Sequence, residues 1–108
     1  MNRLVVPNNI LLGQASELLA KGIEVILMTK GNSMLPFIRG EMDSVRMKKM
    51  DTLSVGDVVL AEIAPGKYVL HRIILIDGDH ITLMGDGNLV GTELCLESSI
   101  VGTALKVI

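Results

Sequence analysis

Apolar positions follow two rhythms along this chain. From Asn8 to Lys21 the rhythm is helical: Ile10, Leu11, Ala15, Leu18 and Leu19 fall near 3.6-residue spacing. Asn8 or Asn9 can cap the start, and Gly22 stands where a helix ends in left-handed geometry. Gly13 inside the stretch weakens the helical preference.

After Gly22 the rhythm is that of strands. "EVILMT" (24–29) is a short apolar strand, and "SVRMKK" (44–49) alternates. "DVVLAEI" (57–63) begins after Gly56 and reads as a buried strand. Ala64-Pro65-Gly66-Lys67 is a turn, so the next strand, "KYVLHRIILI" (67–76), forms a hairpin with it. Asp77-Gly78-Asp79 turns the chain again into "HITLM" (80–84). A glycine-rich loop (85–91) follows, and "IVGTALKVI" (100–108) ends the sequence. Six or seven short strands after one helix predict a mainly β fold. The expected form is a small, partly closed, antiparallel β-barrel-like domain with one N-terminal helix. Residues 1–108 are expected to form one domain, with the helix at about 8–21 and the β region at about 23–108.

Composition narrows the function classes. One Tyr, one Phe and no Trp leave the core to Val, Ile, Leu and the seven Met. Single-strand nucleic-acid binders stack bases on aromatic side chains, which this chain lacks. Net charge is −2 with the signs mixed. The cluster Arg46, Lys48 and Lys49 alternates with Val45, Met47 and Met50, as a solvated strand face does. No nucleic-acid partner is expected. A single cysteine, Cys95, excludes an internal disulfide and a cysteine-based zinc site, and two histidines, His71 and His80, are too few for a metal cluster. No metal or cofactor is expected. No run approaches the ~18 consecutive apolar residues of a membrane span. The opening "MNRLVVPNNILLG" is broken by Pro7 and two Asn and does not read as a signal peptide. The expectation is a soluble, cytoplasmic domain.

Candidate chemistry sits in three stretches: "KGNSMLPFIRG" around Ser33, "VLHRI" with His71 and Arg72, and "MGDGN" with Asp86. A serine hydroxyl attacks only if its proton is removed, and an imidazole, which titrates freely at about 6.5, can take it. A carboxylate can fix the imidazole's tautomer. Ser33, His71 and Asp86 supply those three types. Plainer roles exist for each. Ser33 can cap the turn before Pro36, and His71 can be a hydrogen-bonded strand histidine. Arg72 can pair with a nearby acid such as Asp86, and Asp57 and Asp86 can bond their own loops.

The stretches also occur in a specific order. "GNSMLPFIRGEMDSV", "VGDVVLAEI", "YVLHRII" and "LMGDGN" resemble the four successive boxes of the signal peptidases and the LexA-type self-cleaving repressors. The likeness runs from about Lys30 to Asn88, and weakly on to "SSIVGTALKV". It implies an all-β, partly closed barrel-like fold and a serine peptidase mechanism. By resemblance Ser33 is the nucleophile. His71 is the general base, at the place where most bacterial members have Lys. Arg72 is a supporting residue. The acid that orients the base in the histidine-type members is displaced here, so Asp86, or after it Glu93, takes that role. A hydroxyl residue two places before the nucleophile is replaced by Gly31, so the oxyanion hole is left to the backbone N–H of Ser33, helped by Asn32. The sequence shows neither the anchor usual in signal peptidases nor the repressors' DNA-binding headpiece. The resulting expectation is a serine endopeptidase. Its peptide or protein substrate lies extended along a sheet edge, with small residues beside the scissile bond. The alternative is a non-catalytic peptide- or protein-binding module on the same fold.

Overall fold

The computed structural model describes residues 3–6, 12–28, 44–87 and 91–107. Among the described residues eight strands share one sheet: β1 (Arg3–Val6), β2 (Glu24–Met28), β3 (Ser44–Lys48), β4 (Val58–Ala64), β5 (Lys67–Asp77), β6 (His80–Met84), β7 (Glu93–Leu96) and β8 (Ile100–Val107). Their order in space is β1-β2-β3-β8-β4-β5-β6-β7. One helix, α1 (Leu12–Ala20), lies between β1 and β2 in sequence, and a single 3-10 turn (Glu97–Ser99) links β7 to β8.

The mainly β architecture with one helix matches the sequence expectation. The closed form does not: β1 and β7 are the two edges of an open sheet, and among the described residues no ladder joins them. The sheet curls instead, bringing β7 and the 3-10 turn back beside β4. Its ladders are irregular at Arg46/Met47, Leu60/Ala61 and Ile73/Leu75, and such bulges add twist. The pairings are antiparallel except that β1 runs parallel to β2. Parallel neighbours need a crossover, and α1 supplies it.

Two strands were not expected from the sequence, β1 and β7. Each has four residues, too few for alternation to stand out. The predicted helix start at Asn8 falls outside the described residues. Its end is as expected. Gly22 takes φ 83° and donates its N–H to Leu19 O (3.0 Å), while Ile23 N–H reaches Leu18 O (3.1 Å). That pair of bonds is a Schellman motif, which a glycine in left-handed geometry allows. The first hairpin turns on Pro65-Gly66, with Ala64 paired to Lys67 and Gly66 at φ 73°. Proline presets the first of these positions and glycine supplies the positive φ of the second.

Alternation along β4 divides the core in two. Leu60 faces a cluster with Ala15 and Leu19 of α1, Val25, Leu27, Val45 and Met47. Val59 and Ala61 face the other, with Ile73, Ile81, Leu83 and Ile100. Leu19 is fully buried and lies over Gly102, where a Cβ would come within 3.0 Å of its Cδ1. The helix is therefore seated on β8 by a leucine over a glycine. Replacing Leu19 by Ala removes that knob and leaves a cavity. The expected loss is about 2–5 kcal/mol, read as a lower urea midpoint at unchanged slope. A change below about 0.5 kcal/mol would show that α1 is not seated through Leu19.

Candidate functional site

The site is organised by β5. Neighbouring residues of a strand point to opposite faces, so His71 and Arg72 face apart. His71 pairs with Val59 and is 7% exposed. It lies on the face of Val69 and Ile73, which belong to the second core cluster. Ile73 pairs with Leu83, and Leu83 with Glu93, so Glu93 lies on that face two strands away. The curl of the sheet brings its carboxylate back to the ring: His71 Nδ1 and Glu93 Oε1 are 2.5 Å apart. A carboxylate oxygen accepts, so this bond forms when Nδ1 carries the ring proton. In the neutral ring the lone pair then resides on Nε2.

Arg72 builds a second pair on the opposite face. Its Nε donates to Asp86 Oδ1 at 2.8 Å and its Nη2 to Oδ2 at 2.6 Å, a bidentate fork. Its Nη1 donates to Gly56 O at 2.6 Å. The Asp86 carboxylate holds the guanidinium above its ordinary pKa, against an opposing effect of burial. Arg72 thus ties β5 to the turn after β6 and to the turn before β4. Gly56, at φ 100°, also donates to Ile73 O at 2.8 Å, and Ile73 N–H returns to Asp57 O at 2.8 Å. The Asp57 side chain accepts from Ser54 N–H at 2.9 Å, so Asp57 has the plain turn-forming role.

The two acids therefore stand in the reverse of the order expected from the sequence. Glu93, not Asp86, is the carboxylate against His71, and Asp86 is committed to Arg72. A bulge explains this. The hairpin starts with Asp77 opposite His80 and Leu75 opposite Thr82, pairs whose numbers sum to 157. Continued without interruption, it would place residue 86 opposite His71. Past the irregular step the pairs are Ile73 with Leu83 and Arg72 with Met84, which sum to 156. Ile74 is the extra residue. A one-residue slip exchanges the two faces, so Asp86 goes to Arg72's side and His71's side is left to Glu93. The sequence carries no clear signal for Glu93: four residues, "ELCL", are too few for alternation to stand out, and the usual sorting would turn the leucines rather than Glu93 and Cys95 inward.

Ser33 and Asn32 lie in 29–43, outside the described residues. The last residue before that segment, Met28, pairs with the first one after it, Ser44. Among the described residues, no three His, Cys, Asp or Glu side chains are grouped to hold a metal ion. Nor is any described helix long and apolar enough to cross a membrane. Cys95 is half-buried beside Glu93, and burial, then the nearby carboxylate, pushes its thiol pKa up. No family model matches the chain, and no curated protein matches it.

Two measurements follow from this geometry. Replacing Arg72 by Ala is expected to cost about 1–3 kcal/mol, since it removes charged hydrogen bonds in a partly exposed setting. Lysine restores the charge but not the fork, so Arg72→Lys should recover less than half of the loss. Full recovery in a urea titration would contradict the fork. Alkylation of Cys95 by iodoacetamide at pH 8 should run well below the rate of a free thiol, because the reactive thiolate is disfavoured. A rate equal to that of free cysteine would contradict the burial of the thiol.

Proposed function

We propose that the chain is a serine endopeptidase of the signal-peptidase and LexA type, with Ser33 as nucleophile and His71 as general base. One observation carries this reading: a buried imidazole whose Nδ1 lies against the Glu93 carboxylate, the arrangement that leaves Nε2 as the basic nitrogen. A base that must take a serine proton needs that tautomer and that orientation. In this reading Glu93 takes the part of the downstream acid, which its contact with His71 supports.

In the proposed reaction Ser33 Oγ attacks the peptide carbonyl carbon while its proton passes to His71 Nε2. The negative charge that Glu93 keeps behind the ring stabilises the imidazolium. The tetrahedral oxyanion is held by the Ser33 backbone N–H, helped by Asn32. Its collapse breaks the C–N bond, and Nε2 returns the proton to the leaving amine. Water then attacks the acyl-serine, giving a proton to Nε2; collapse breaks the ester C–O bond, and Nε2 returns the proton to Ser33 Oγ as the acid product leaves. Arg72 and Asp86 take no proton. They hold the turn after β6 against β5 and so position His71 from behind.

A fluorophosphonate probe and small-residue peptide substrates test this. Labelling and turnover are expected in the unaltered protein and lost in Ser33→Ala and His71→Ala. Glu93→Gln should lower kcat about 10²–10⁴-fold with little change in KM, since it perturbs the ring's tautomer and charge rather than substrate binding. Equal labelling of all four proteins would sink the assignment. Absence of labelling in all four would leave the peptide-binding module as the better reading.

A further inference from the structure

The outer face of the β5–β6–β7 corner carries an apolar surface that none of the described elements covers. The register builds it as a grid. Leu75, Thr82 and Leu94 form one row, and Asp77, His80 and Leu96 the next. Leu94 is 76% exposed, Leu75 56% and Leu96 48%, and the bulged Ile74 beside them is 42% exposed. Four large aliphatic side chains together on one face approach the few hundred Å² of apolar surface that marks a functional patch.

The patch opens into a cleft of ≈ 500 Å³, and Leu96 belongs to both. The cleft is also lined by Leu53 and Ile100, by the carboxylates of Asp51, Asp79 and Glu97, and by one basic residue, Lys49. The charge around the patch is one-sided. Residues 73–105 contain no Lys or Arg and five acids. Of those five, Asp86 goes to Arg72 and Glu93 to His71. The remaining three, Asp77, Asp79 and Glu97, stand at the end of the grid where it meets the cleft.

We propose that this face is a docking surface for a polypeptide segment in which an apolar stretch adjoins a lysine or arginine. The apolar side chains cover Leu75 and Leu94. The cationic side chain runs past Leu96, with its alkyl stem on the apolar lining and its charge between Asp79 and Glu97. Charge decides between this occupant and the others. Two copies meeting through the patch would bring two sets of acids together with only the Lys49 of each cleft to offset them. An anionic lipid surface would be repelled by the same rim. The surface lies apart from the His71–Glu93 pair, and the proposal does not depend on chemistry at Ser33.

The test uses the Ser33→Ala protein, so that no peptide is cut, and two capped peptides, Leu-Val-Leu-Ala-Lys-Lys and Leu-Val-Leu-Ala-Glu-Glu. The lysine peptide is expected to shift the amide resonances of Thr82, Leu94 and Ser98 saturably. The glutamate peptide should bind about tenfold more weakly or less. Leu94→Ser and Glu97→Lys should each weaken the lysine peptide about tenfold, with the thermal midpoint showing that both proteins still fold. Equal affinity for the two peptides would overturn the proposal, and so would no saturable shift by either. Concentration-dependent dimerisation abolished by Leu94→Ser would assign the face to a second copy. Flotation with phosphatidylserine vesicles, abolished by the same change, would assign it to a membrane. Either result would overturn the proposal.

Discussion

A single extra residue in β5, Ile74, decides which acid meets which base in this protein. Before it in the chain, His71 and Arg72 face opposite sides of the strand; beyond it, the hairpin to β6 runs one step out of register. That step places Asp86 with the guanidinium and leaves the imidazole to Glu93. Side-chain period in a strand is two, so a slip of one is the smallest change that can exchange the partners of two adjacent residues. The bulge also breaks alternation on the outside, where Ile74 and Leu75 are both exposed. The inner pair and the outer apolar face thus share one backbone cause.

The same two faces organise the core. One side of β4 and β5 is covered by α1, seated through Leu19 over Gly102, and the other by the curl of β6, β7 and β8. His71 lies on the curled side and is buried there, 7% exposed. Arg72 works at the boundary, joining three segments that are far apart in sequence through Asp86 and Gly56. Loss of the curl would part the ring from Glu93, so the pair depends on the fold.

Much of this was legible in the residues. The two hairpin turns, the strand 80–84 and the glycine that ends α1 follow from local chemistry, and local chemistry does not change on folding. What escaped was non-local. β1 is four residues long and becomes a strand only because α1 carries the chain back alongside β2. β7 is as short, and its glutamate points inward while its leucines point out, against the usual sorting of polar and apolar side chains. The choice between Asp86 and Glu93 hung on a bulge, which no pattern of apolar positions announces when the bulged residue is itself an isoleucine. The openness of the sheet escaped for a related reason: closure depends on summed twist, which short-range spacing does not record.

Glu93, and not Asp86, stands against His71, and the proton position on the ring shows whether that contact governs it. Nitrogen-15 shifts of the His71 ring measure this directly in the neutral imidazole. An Nδ1–H ring is expected in the unaltered protein and in Asp86→Asn, and a move toward the Nε2–H form in Glu93→Ala. A ring that keeps its tautomer in Glu93→Ala and loses it in Asp86→Asn would contradict the account.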